Sequence, residues 1–326
     1  MNAFFGWRRA ILQRAAVLAF SSLAFHSSHA AWPADKPIRM IVPYTAGGAS
    51  DTLGRLVAAQ LTTSLGQTVV VENRPGAGSM LGSQLVARAQ PDGYTFLLGS
   101  ISNVLNNYFY KEPLYNIRTD LAPVAQVVSV PNYLAVGNAV PANSVEELIA
   151  LAKRKPETLS CATSGIGSSP YLSCELFKVL SGGRIINVPF KGGAQAIQAV
   201  MGGQATMFFA NEALPYIAAG QVRALGVTTP KRSSYLPNVP SIAESLPGYD
   251  VTAWYGVWAP AGTPAPILEK VSAEIRAMLK NPQVLKTLDS LGAEPAGSTP
   301  EAFRRYVTSE LDRWQRLTQK MDVKPQ

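Results

Sequence analysis

The amino-acid sequence predicts an α/β protein of two similar units, each a mostly parallel β-sheet covered by helices. Two observations carry this expectation. Short β-prone runs alternate with amphipathic helical stretches, and the alternation pauses and restarts near Val136. Successive parallel strands need a crossover to return the chain, and a helix is the usual one.

The first thirty residues stand outside that pattern. Arg8, Arg9 and Arg14 form a basic start with no acid, and residues 15–25 are apolar but too short to span a bilayer. Ser28-His29-Ala30 supplies the small residues of a cleavage site. The expectation is an exported chain with a signal peptide over residues 1–30, which leaves Sec and twin-arginine export both open. Its removal takes away three arginines, lowering the formal charge from +8 to +5, and both histidines, His26 and His29. A mature chain without histidine excludes Ser-His-Asp and Cys-His nucleophiles and histidine-ligated metal sites. No Lys/Arg block is interleaved with aromatics, so nucleic acid is not an expected partner.

In the first unit, residues 38–42 form a strand ending at Pro43, and Gly47-Gly48 turns the chain. Ser50 or Asp51 is expected to cap a helix with Leu53, Leu56, Val57, Leu61 and Leu65 on its apolar face. A strand at 69–71, a helix near 79–89 and a strand at 94–98 follow. In the second unit, Ser144 and Glu147 match a capping box that opens a helix to about 153. Strands at 159–162, 186–188, 205–209 and 224–228 alternate with helices ending near 180 and 201. Residues 251–259 read as a strand passing back. Helices at 266–280 and around Phe303, Val307, Leu311, Trp314 and Leu317 then return to the first unit. One lobe is expected at 31–129 plus 254–326 and the other at 130–253, hinged on crossing strands near 127–136 and 251–259.

Cys161 and Cys174 fall at a strand end and in the first turns of the next helix. Such a pair either forms a disulfide or simply faces the core, and spacing does not decide between them.

Candidate site residues lie in the loops after strands, where open α/β sheets collect ligands at helix N-termini. One loop holds Tyr44, Thr45, Ala46, Gly47, Gly48, Ser50 and Asp51, and its counterpart holds Ser164, Gly165, Gly167 and Ser168. Ser100 with Ser102, and Lys191 with Gly192 and Gly193, follow other strands. Glycines admit close backbone approach, and serines add hydroxyl donors. Asp51 is better suited to organising its loop than to touching an anion, whereas Lys191 is either a partner for a second carboxylate or a surface lysine. A competing expectation is a nucleotide-dependent oxidoreductase, from Gly76, Gly78 and Gly82 after a strand. Those glycines are not in the first βα turn, and no acidic strand end follows at the usual distance.

The chain resembles the Bug/TctC family, the solute-binding proteins of tripartite tricarboxylate transporters. Residues 37–44 (PIRMIVPY), Gly47-Gly48-Ala49-Ser50-Asp51, residues 71–79 (VENRPGAGS) and residues 91–95 (PDGYT) carry the resemblance. So do residues 164–169 (SGIGSS), 188–193 (VPFKGG), 237–240 (PNVP) and 259–264 (APAGTP). The resemblance implies a two-lobed periplasmic binding protein of type II fold that closes on a small organic acid and performs no chemistry. It also implies a membrane permease as partner, a monomeric state and no cofactor or metal. Asn211 joins the loops above as an implied cleft residue. Tyr171, the two cysteines, and Asn103 to Asn106 depart from the family pattern.

Overall fold

The computed structural model describes residues 32–165 and 167–321, so the expected signal peptide and its cleavage site lie outside the described residues. The chain divides into units 1–35 and 36–326, and the second unit carries both sheets.

The first sheet begins with β1 (Ile38–Val42), α1 (Ala49–Leu65), β2 (Val69–Asn73), α2 (Met80–Ala87), β3 (Thr95–Ser100) and α3 (Ile101–Phe109). β1 lies between β2 and β3 and is parallel to both, as the alternation predicts. β4 (Leu121–Val130) then leads directly into β5 (Tyr133–Gly137), the first strand of the second sheet.

That sheet continues through α4 (Val145–Arg154), β6 (Leu159–Thr163), α5 (Ser169–Ser181), β7 (Ile185–Pro189) and α6 (Gly193–Met201). β8 (Met207–Ala210), α7 (Leu214–Ala218) and β9 (Val222–Val227) complete it, in the order β7-β6-β8-β5-β9. After α8 (Ile242–Ser245), the chain returns as β10 (Ala253–Pro260). α9 (Ala265–Met278), α10 (Pro282–Ser290), the short β11 (Glu294–Pro295) and α11 (Pro300–Thr318) follow. The first sheet is ordered β11-β4-β10-β3-β1-β2.

Both sheets are mixed, which modifies the expectation of mostly parallel strands. β10 is antiparallel to β3 and β4, and β5 is antiparallel to β8 and β9. The cause is the double crossing, because a strand that arrives from the other sheet without a helical crossover enters in the opposite sense. The crossings meet at one knot of hydrogen bonds. Thr228 N–H donates to Asn132 O at 2.9 Å, Asn132 N–H to Thr228 Oγ1 at 3.1 Å, and Val251 N–H to Thr228 O at 3.0 Å.

The core is continuous across the crossings, running from Leu97 and Val104 through Phe109 and Tyr171 to Phe177, Phe209 and Tyr249. Cys161 on β6 and Cys174 on α5 are disulfide-linked with Cα atoms 6.4 Å apart. A loop of that size contributes about 3 kcal/mol by restricting the unfolded chain.

Candidate functional site

Four helices begin at one cleft. Their N-cap residues are Gly48 for α1, Ser100 for α3, Ser168 for α5 and Gly192 for α6. All four line a cleft of about 320 Å³ between the sheets, a volume suited to a small ligand. The N-cap of α1 is therefore Gly48, in place of the expected Ser50 or Asp51. The serines cap their own helices, with Ser100 Oγ accepting from Ser102 N–H and Ser168 Oγ from Tyr171 N–H. The two glycine caps make no side-chain cap hydrogen bond. First-turn N–H groups on both sides of the cleft thus have no side-chain cap, and they lie at the positive ends of helix dipoles.

The first-sheet wall is held by a polar lattice. Tyr44 Oη and Ser100 Oγ are 2.6 Å apart, and Asn103 Oδ1 accepts from both Tyr44 Oη and Ser100 N–H. Asn103 Nδ2 donates to Ser79 Oγ and Ser83 Oγ, while Asn106 Nδ2 donates to Gly78 O. The asparagines that depart from the family pattern are the struts of this wall. Burial raises the Tyr44 phenol, so it stays a neutral hydroxyl at ordinary pH. Ser50 Oγ donates to Tyr255 Oη at 3.3 Å, and Tyr255 reaches the cleft because β10 pairs it with Ser100.

On the other wall, Ser168 Oγ donates to Gly165 O at 2.6 Å, which fixes its loop. Ser164 and Ser169 line the cleft as well. Ser102 Oγ reaches across and donates to Gly167 O at 3.0 Å, tying α3 of the first sheet to the second-sheet loop. Asn211 lines the cleft and spends its Nδ2 on Leu291 O at 3.0 Å.

Of the residues expected from sequence, Tyr44, Thr45, Gly48, Ser50, Ser100 and Ser102 come together here from the first sheet. Ser164, Ser168, Gly192, Gly193 and Asn211 meet them from the second. Ala46, Gly47, Asp51, Gly165, Gly167 and Lys191 are not among the lining residues. Gly47 turns its N–H to Asp51, Gly165 and Gly167 give their carbonyls to serines, and Ala46 and Lys191 are exposed. Sequence reasoning missed Asn132, Glu212, Tyr255 and the stretch around Leu291 and Ala293, all of which line the cleft.

Asp51 has the organising place. It accepts from Gly47 N–H, Asn73 Nδ2 and Arg55 Nε, each at 3.0 Å. Arg55, then the Gly47 and Asn73 bonds, hold its carboxyl below the usual range against the opposing effect of burial. A depressed folded-state pKa stabilises above the unfolded pKa and is lost as pH falls through the folded value. Asp51→Asn is therefore expected to lower the thermal midpoint at neutral pH. The gap from wild type should close as pH drops below about 4. Arg55 is largely exposed, so the effect is a modest one. A gap that persists unchanged at pH about 2 would rule out this charge-dependent role.

Two α/β sheets that bring helix N-termini to a cleft at their crossing strands define the class, a periplasmic binding protein. Comparison narrows it. Residues 53–323 match the model of the tripartite tricarboxylate transporter family receptor, TctC, and the chain belongs to that family. BugT of Bordetella pertussis is 35% identical over 302 residues, covering 91% of this chain and 92% of its own. Rpa4515 of R. palustris with adipate is 36% identical with a TM-score of 0.80, covering 89% and 98%. MatC (Rpa3494) from Rhodopseudomonas palustris with bound malate is 32% identical with a TM-score of 0.77, covering 87% and 99%. The family is one of binding receptors, not of enzymes. The glycines behind the oxidoreductase alternative have a packing role instead. A Cβ on Gly82 would lie 2.7 Å from Arg74 O, and one on Gly76 would strike Leu81. Among the described residues, no helix is long and apolar enough to cross a membrane.

Proposed function

We infer that the chain is an exported receptor, processed after residue 30, that captures a small organic anion and hands it to a permease of the tripartite tricarboxylate type. The anion is a carboxylate, and the receptor acts as a monomer. Its lobes, 31–129 with 254–326 and 130–253, close about the crossing strands near 127–136 and 251–259. The observation that carries this reading is the convergence of four helix N-termini, two of them glycine-capped, on a cleft lined by no lysine or arginine. Such a cleft holds an anion with N–H groups and hydroxyls in place of a salt bridge. The adipate and malate of the two R. palustris proteins are carboxylates that fit the same chemistry.

Thermal-shift screening of the mature chain against organic acids, followed by calorimetry, tests it. A bound acid raises the midpoint by mass action. Ser164→Ala is expected to weaken that acid about ten- to a hundredfold, through loss of a hydrogen bond of about 1.5–3 kcal/mol to a charged group. Affinity should change little with added salt, since the site contains no exposed charge pair. Failure of every carboxylate to shift the midpoint would reject the reading.

A further inference from the structure

We propose that Asn132 is a specificity-determining residue of this cleft, its side-chain amide donating to an oxygen at the end of the bound acid that lies away from Tyr44 and Ser100. The proposal rests on the reading that the cleft binds a carboxylate.

Asn132 joins β4 to β5 on the first crossing. It is 2% exposed and lines the cleft, and its Nδ2 is buried with no hydrogen-bond partner. Its backbone N–H donates to Thr228 Oγ1 and its carbonyl accepts from Thr228 N–H. The main chain is therefore held in place while the carboxamide keeps its donor. An amide N–H shut away from water without an acceptor costs free energy, and an oxygen on a ligand removes that cost.

The strand pattern places this donor at one end of the cleft floor. Val130 and Asn132 on the first crossing, and Ala253 and Tyr255 on the second, line the cleft two residues apart, the period of one strand face. β10 pairs Ala253 with Val130, and Tyr255 with both Val128 and Ser100. Tyr255 therefore lies at the level where Tyr44, Ser50 and Ser100 gather. Asn132 comes four residues after Val128, about 13 Å away at extended spacing. Between the two the floor is apolar, at Val130 and Ala253. A floor that is polar, apolar and polar in turn matches an acid with oxygens at both ends of a hydrocarbon segment. Asn132 is neutral, so it accommodates a carboxylate, hydroxyl or carbonyl oxygen at its end. A monocarboxylate of the same length brings only a methyl group there and leaves the donor unpaired.

The experiment is calorimetry on the mature chain with the straight-chain dicarboxylates from malonate to suberate, each against the monocarboxylate of the same length. The wild type is expected to prefer the dicarboxylate in its best-fitting pair. Asn132→Leu should weaken that acid by about ten- to a hundredfold and spare its monocarboxylate partner. Leucine has a similar shape and no donor, so the ligand-free variant should melt no lower than the wild type. A lower midpoint with both acids weakened alike would mark a purely structural asparagine and overturn the assignment. So would unchanged affinity of Asn132→Leu for every dicarboxylate, or a wild-type preference for the monocarboxylates throughout. In the wild type, the Asn132 side-chain amide resonance should shift with the dicarboxylate and not with its monocarboxylate partner. That reading does not depend on how the variant folds, and equal shifts count against the proposal. Binding of neither series while another acid binds overturns the assignment alone, whereas binding of no acid overturns the carboxylate reading with it.

Discussion

Gly48→Val and Gly192→Val are each expected to abolish capture of the ligand while costing the fold at most about 1 kcal/mol. Gly48 has φ −89° and ψ 176°, and Gly192 is fully extended at φ 165°, conformations open to residues with side chains. A Cβ at either position would have no protein atom within 4 Å, so valine meets no protein wall at its point of attachment. Both residues line the cleft, one from each sheet, each at the N-terminus of a helix. The added methyl groups occupy the ligand's space and screen the N–H groups there. Affinity should fall by at least about a hundredfold, close to 2.7 kcal/mol. Unfolding free energy should fall by no more than about 1 kcal/mol, the usual cost of an unfavourable N-cap residue. Calorimetry and urea denaturation measure the two effects separately. Wild-type affinity in both variants would place the ligand elsewhere.

The largest expected effect on stability belongs to Trp254→Ala. Trp254 is fully buried at the start of β10, with ring centroids of Trp258, Phe303 and Tyr306 at 5.7, 5.6 and 5.5 Å. It joins the central strand of the first sheet to α11, whose Phe303 packs so closely on β10 that only glycine fits at Gly256. Removing a buried indole costs about 3–5 kcal/mol, part of it from the cavity left behind. For a chain of this size that is a fall in thermal midpoint on the order of 10 °C. A loss under about 1 kcal/mol would mean that the cluster can collapse around the gap.

The strands and helices were legible because their apolar spacing is regular, as with Ile38 to Val42 and the Phe303-to-Trp314 stripe. The glycine and serine loops were legible because a helix N-terminus after a strand has one chemical use that recurs. Tyr255 was not, since it reaches the cleft only through antiparallel pairing with Ser100, a contact across more than a hundred residues of chain. Leu291 and Ala293 arrive through a tertiary contact with Asn211 that no local pattern encodes. Asn132 and Glu212 did leave signals. One is a lone carboxamide inside the apolar run at residues 127–136, and the other an acid directly after the buried strand Met207–Ala210. Each is a polar residue that local structure does not require. Asp51 was legible as an organiser because a carboxylate in the first turn of a helix has N–H groups close at hand.

The position of β10 has a consequence for the order of assembly. It sits between β3 and β4 in the middle of the first sheet, although in the chain it follows every strand of the second. Residues 133–227 hold a complete set of strands for the second sheet, which can pair without waiting for anything downstream. The first sheet has no such independence. Until residues 253–260 are available, β3 and β4 face each other across a missing strand, each with an unpaired edge. Pairing over so long a separation is slow, and exposed edges in that interval invite aggregation. A chain cut after residue 252 would therefore keep the later sheet intact and leave the earlier one split down its centre.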